Sequence, residues 1–438
     1  VELGSPLELS WEVSNVDDLR LDGADVTGTS SLELTPLGTR NFLLEGWNDQ
    51  GSVEKQLRVM VVAPGEPIIS EFMADNRGDV TTDEDGDDSD WIELCNPGSE
   101  PAVLDGYYLT DREDDLRQWR MPDVTIPPGG YLLLFASGKD RSDPASELHT
   151  NFSLNDGGEY LALVKPDGIS IVSDFYPEFP RQRSEVSYGV NPATAEEGYF
   201  LEPTPGTANG ASFTGFVGDT SFSHDRGFYE EAIEVEITTN EPGAVIRYTT
   251  NGTEPTEVRG LIYTGPILVR RTTVLRAAGF KPGFVPTNVD TQTYIFPADV
   301  VRQRGMSTSI TRHPTYGPRL PSALQDIPSL SLVFQAPGDL TSNPPADILR
   351  TEVPVSVEFI NFEAGSVQYD AGMARFGSYV TNFPKDSVRV TFRSEYGPTK
   401  LRFPVFEGHD YKIDPADEVD ALDLRAGNHD MVARGAYM

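Results

Sequence analysis

The stretch "TTDEDGDDSDWIELCNPGS", Thr81 to Ser99, holds the most concentrated chemistry in the chain: seven carboxylates lie between Asp83 and Glu93, with no basic residue among them. Asp83, Asp85, Asp87, Asp88 and Asp90 offer hard oxygen ligands around the turn-forming Gly86, the donor set that calcium (Ca2+) prefers. The spacing is not that of an EF-hand loop, which needs Gly at position 6 and Glu at 12; counted from Asp83, Gly86 is fourth and Glu93 eleventh. Seven negative charges in eleven residues still raise a local repulsion that a cation would relieve. A hydrated acidic loop is the plainer alternative, and the residues leave both open.

A second candidate lies in "FPKDSVRVTFR", where Val388, Val390 and Phe392 point one way and Lys385, Arg389 and Arg393 the other. On an extended strand i and i+4 lie about 13 Å apart, so the cations form a basic stripe. The plain reading of such a stripe is a solvated strand face. Other chemistry is thin. No Walker-type loop and no dinucleotide fingerprint occurs, and the five histidines, at 149, 224, 313, 409 and 429, lack ligand spacing. Cys95, the single cysteine, excludes a disulfide framework and a cysteine zinc cluster; with no basic neighbour in sequence it reads as a small packed residue. His429 and Asp430 in "GNHD" read as turn residues.

These residues must be positioned by a chain of 438 residues, too long for one core, with a formal charge of −35 from 34 basic and 69 acidic side chains. That charge repels phosphate backbones and anionic lipid, so the expectation is no nucleic acid as partner. No run approaches the roughly 20 apolar residues of a membrane span. The 40 Gly and 34 Pro indicate many turns, and the chain is read as a segment of a longer protein that is secreted or held at the cell surface. Short alternating runs predict stacked sheets from end to end. Residues 1–62, with "LELSWEV" and a turn at Asn48-Asp49-Gln50-Gly51, read as an immunoglobulin-like sandwich with Trp11 and Phe42 in its core. Within "DWIELC", alternation puts Trp91, Glu93 and Cys95 on one face and Ile92 and Leu94 on the other. Ile233, Val235 and Ile237 alternate with Glu234 and Glu236, one face in a core and one in water.

Three segments carry family-specific wording. "ISEFMADN", "DWIELCNPG", "LDGYYLTD", "WRMPDVTIPPGGYLLLFAS", "FSLNDGGEYLAL" and "TPGTAN" occur in an order that resembles the lamin-tail domain over 67–210, implying an immunoglobulin-like docking module. "IRYTTNGTEPT", "YTGPILV" and "TTVLRAAGF" in 219–297 resemble the chitobiase/β-hexosaminidase C-terminal module, an accessory sandwich; that family usually has Asp where Asn251 stands. Residues 298–326 read as a linker. "AGMARFGS", "FPKDSVRVTFR", "YGPTKLRFPVF" and "LDLRAG" in 327–438 resemble the N-terminal part of a CotH-type kinase domain. The resemblance implies that Lys385, with Arg389 beside it, holds nucleotide phosphates, and that ATP and Mg2+ act only in the full-length form, whose metal-holding and catalytic positions come after Met438.

The fold class expected is therefore mainly β: serial immunoglobulin-like or fibronectin-like β-sandwiches followed by an incomplete α+β kinase-like lobe. Two functions follow. In one, the full-length protein transfers phosphate from ATP to Ser or Thr of an extracytoplasmic protein, and this segment mostly docks. In the other, it is an adhesion or matrix-binding protein that holds protein or glycan, with a kinase-like domain that is structural.

Overall fold

The computed structural model describes residues 1–36, 40–77, 80–303, 306–334, 352–375, 387–406 and 416–425. The described chain is almost entirely strand and turn, with only short helical segments between Pro297 and Gln325. It divides into two compact units, Val1–Gly215 and Phe216–Met438.

The first unit opens with a small module. Leu7–Ser10 pairs with Ser31–Leu34, and Ala24–Asp25, Asp18–Leu21, Arg40–Asn48 and Gly51–Val59 form a four-stranded sheet in that order. Leu9, Leu21, Phe42 and Val59 are its buried core, with Trp11 and Leu44 packed against them. The turn expected at Asn48–Gly51 is present: the Asn48 side-chain oxygen accepts the backbone N–H groups of Gln50 at 2.8 Å and Gly51 at 3.1 Å.

The rest of that unit is built from two larger sheets. One runs Tyr131–Ala136, Asp90–Cys95, Ile68–Met73, Ser187–Val190, Glu197–Phe200; the other runs Trp119–Arg120, Tyr108–Thr110, Leu161–Val164, Ile171–Phe175. They close on an aromatic core in which Phe72 lies 5.0 Å from Phe175 and 4.7 Å from Phe179, ring centre to ring centre. Alternation puts Trp91, Glu93 and Cys95 on one face of Asp90–Cys95 and Ile92 and Leu94 on the other, and both faces are buried. The reason is a roof over the side that carries Trp91, Glu93 and Cys95. Val80 covers Met73 and Trp91, Met60 and Val62 cover Cys95, and the segment around Thr204 to Gly206 covers Glu93.

In the second unit a five-stranded sheet is ordered Gly227–Phe228, Asp290–Ile295, Thr273–Phe280, Val245–Thr249, Leu261–Ile262. Ile233–Val235 pairs with Ile267–Val269, and Val235, Ile237, Ile246, Leu275 and Tyr294 are buried together. Glu234 and Glu236 are exposed, as the alternation requires. The stretch read as a linker holds the short helices Pro297–Val300, Thr308–Thr311 and Leu320–Gln325, each of six residues or fewer and without a sequence period to announce it. Ser329–Phe334, Val353–Phe362, Gly365–Arg375, Val388–Thr391 and Ala421–Leu424 then make an antiparallel sheet in chain order. Its core is Val355, Val357, Phe359, Met373, Val390 and Phe392. Glu358, fully buried, ties the two sheets: its carboxylate accepts the Thr293 N–H at 2.9 Å and the Thr293 hydroxyl, with Arg226 Nε 3.4 Å away.

Candidate functional site

The acidic loop is a set of turns hung on Asp83. Gly86 donates its N–H to the Asp83 carbonyl at 2.9 Å and adopts φ of +81°, a left-handed conformation that glycine enters without steric cost. Asp83 Oδ1 accepts the N–H groups of Asp85 at 3.0 Å and Asp87 at 3.1 Å, and Oδ2 accepts the Ser89 hydroxyl at 2.7 Å. Burial alone would raise the Asp83 pKa, but hydrogen bonds from Lys139, Ser89 and the loop N–H groups outweigh it and hold the carboxyl well below the ordinary range.

Three of the five aspartates converge. One carboxylate oxygen from each of Asp83, Asp85 and Asp87 lies within 4.8 Å of the others. Between them sits Lys139, its Nζ 2.6 Å from Asp83, 2.8 Å from Asp85 and 2.8 Å from Asp87. Those carboxylates raise the Lys139 pKa. Arg141 adds a second cation, 2.8 Å from Glu84 and 2.7 Å from Asp85. Asp88 is exposed and joins no such cluster among the described residues. Asp90 begins a strand, where burial pushes its carboxyl up to about 6 against the N–H groups of Asn76 and Leu154. The three oxygens fit a hard divalent ion, and an ammonium tethered to the same unit already stands among them.

Sequence reading missed Lys139, Arg141 and His149. His149 is fully buried, stacked on Phe135 with ring centres 5.5 Å apart, and its Nδ1 lies 2.8 Å from the Ser137 hydroxyl. Burial lowers its pKa. The signal that could have found these residues is strand register. Tyr131–Ala136 pairs antiparallel with Asp90–Cys95, Ala136 opposite Asp90, so whatever follows Ala136 must lie beside whatever precedes Asp90.

In the second unit, Val390 and Phe392 are buried while Arg389 and Arg393 face outward, the orientation read from alternation. Arg389 is held by Asp423 on the neighbouring strand, with Nε 2.6 Å and Nη2 2.9 Å from its two carboxylate oxygens. Arg393 lies 3.5 Å from Glu352. Lys385, His429 and Asp430 lie outside the described residues. Cys95 is buried, and burial pushes its thiol up to about 11, the opposite of what a nucleophile needs. No helix among the described residues is long and apolar enough to cross a membrane.

Among solved structures, an I-band fragment of titin is 9% identical with a TM-score of 0.18, over 67% of this chain and 94% of that one. A fragment with immunoglobulin domains 1–4 of Sidekick-1 is 8% identical with a TM-score of 0.16, over 67% of this chain and 95% of its own. A Drosophila N-cadherin fragment is 11% identical with a TM-score of 0.13, over 66% and 91%. No curated protein matches the chain. Residues 61–176 match the family described as Lamin Tail Domain, and residues 224–291 match the Chitobiase/beta-hexosaminidase C-terminal domain. The protein is a multi-domain, mainly β chain that carries a lamin-tail domain and a chitobiase/hexosaminidase C-terminal domain.

Proposed function

We propose that these residues form a docking array in a secreted or cell-surface protein, one that holds an extracytoplasmic protein or a glycan and performs no chemistry on it. The observation that supports this reading is the internal pairing of two candidate cations among the described residues: Lys139 is taken by three aspartates and Arg389 by Asp423. A cation already neutralised within its own unit is a poor phosphate ligand, because the incoming anion must first displace a carboxylate. In the same reading calcium is taken up by Asp83, Asp85 and Asp87 when Lys139 swings out. The test is biolayer interferometry of the whole chain against N-acetylglucosamine oligomers and against purified matrix proteins. Saturable binding to either class supports docking, and flat responses to both count against it.

A second reading rests on the resemblance of 327–438 to the front of a CotH-type kinase domain. What supports it is the set of motifs quoted for 327–438, several of whose described residues lie in one antiparallel sheet. In it the full-length form transfers phosphate from ATP, with Mg2+, to Ser or Thr of an extracytoplasmic protein, and Lys385 holds the nucleotide phosphates. Labelled phosphate appearing on an acceptor with the full-length protein, and lost in its Lys385→Ala variant, would support it; transfer unaffected by that variant would remove Lys385 from the scheme.

A further inference from the structure

The closing stretch of the first unit, residues 203–209, lies over two glutamates. Glu71 and Glu93 are direct partners across Ile68–Met73 and Asp90–Cys95, and both are fully buried. Like charges directly opposite on a sheet repel, and among the described residues no cation offsets them. The charge acting on Glu93 is Glu71, and the other titratable groups facing the pair are Cys95 on the same strand and Tyr131 on the next. Burial pushes Cys95 up to about 11 and Tyr131 up to about 12, so both stay neutral at physiological pH.

What holds the carboxylates is a turn. Thr207 donates its N–H to the Thr204 carbonyl at 2.9 Å, Pro205 is second and Gly206 third with φ of +83°, the signature of a type II turn. Its inner side points donors at the pair. The Thr204 N–H lies 3.1 Å and its hydroxyl 2.9 Å from the two oxygens of Glu71, and the Gly206 N–H lies 2.6 Å from Glu93. Ser187 donates to Glu71 from the sheet, and Ser70 to Glu93 at 2.7 Å. Beyond the turn the chain is pinned again, by Asn209 Nδ2 on the Ser70 carbonyl at 2.9 Å and by the reciprocal N–H bonds of Tyr199 and Phe213.

We propose that Glu71, Glu93 and the 204–207 turn form a proton-controlled latch: a proton held by the pair keeps the turn seated, and its loss to solvent lifts residues 203–207 off the sheet. With the proton in place, one negative charge is shared among the donors. Without it, two adjacent buried charges remain, and water reaches them only if the turn moves away. The pinned flanks confine the movement to the turn.

Hydrogen–deuterium exchange of the whole chain, corrected for intrinsic rates, tests this at pH 5 and pH 8. Peptides covering 203–207 should lose protection by about tenfold or more across that interval, the factor that one unit of pKa shift supplies. Peptides covering 90–95 should not change, and Glu93→Gln should abolish the dependence. Equal protection of 203–207 at both pH values would overturn the latch, as would the same loss in Glu93→Gln or a parallel loss over 90–95. If the variant does not fold, the wild-type carboxyl carbon signals of the pair decide: titration above pH 6 supports the proposal, and titration of both at the ordinary glutamate value overturns it.

Discussion

Asp83 does more for the acidic loop than its neighbours, because four donors converge on its buried carboxylate. Replacing it with alanine leaves loop N–H groups and an ammonium without their acceptor. Asp83→Ala should therefore destabilise the first unit by roughly 2 kcal/mol in chemical denaturation, the size of an unmade buried hydrogen bond. Asp88→Ala, at an exposed position in the same loop, should leave the denaturation midpoint where it is. Lys139 has the complementary test. Lys139→Met removes the internal cation and leaves three converging oxygens, so calcium should bind the variant at least about tenfold more tightly than wild type by isothermal titration, a gain of one displaced charge. Identical heats for the two proteins would show that these oxygens are not a calcium site. At this scale the aspartates were legible as a donor set. Their partner was not, since Lys139 lies 54 to 56 residues away in the chain and only strand register brings it back.

Among elements, the sheets were legible and their coverings were not. Period-two alternation placed Val390 and Phe392 inward and Arg389 outward, and placed Trp91, Glu93 and Cys95 on one face; burial follows the first of these patterns directly. The second face is buried as well, because segments distant in sequence roof it, and nothing in the local pattern of "DWIELC" encodes that. Glu358 poses the same difficulty. The neighbouring sheet covers it, and Thr293 and Arg226 satisfy it. Glu358→Ala should destabilise the second unit by about 2 kcal/mol, since it leaves the buried Thr293 N–H and hydroxyl without their acceptor. Calorimetry of the variant, with the first unit's transition as internal reference, checks this.

For the whole molecule, pH sums these groups. Burial is the leading cause that pushes Glu93 and Glu159 up to about 7 and Asp90 to about 6, against ordinary values of 4.5 and 3.8. A carboxyl whose folded pKa is raised contributes stability that is fully present below its unfolded value and is lost as pH rises through the folded one. Asp83 works the other way: its contribution is present above its ordinary value of 3.8 and lost as pH falls through its depressed folded pKa. A formal charge of −35 adds self-repulsion that grows with each lost proton. The melting temperature should therefore peak near about pH 5 and decline toward pH 8, and a steady rise to pH 8 would contradict these assignments.

The mainly β character was readable because the strands carry their own hydrophobic alternation, whereas the pairing of charges depends on which strands meet. That pairing underlies the proposal that these residues dock and do not catalyse. The most direct measurement is incubation of the 438-residue chain with labelled ATP, Mg2+ and a Ser/Thr-containing acceptor protein. The account predicts no saturable nucleotide binding and no label on acceptor or chain, and label transferred by this chain alone would contradict it.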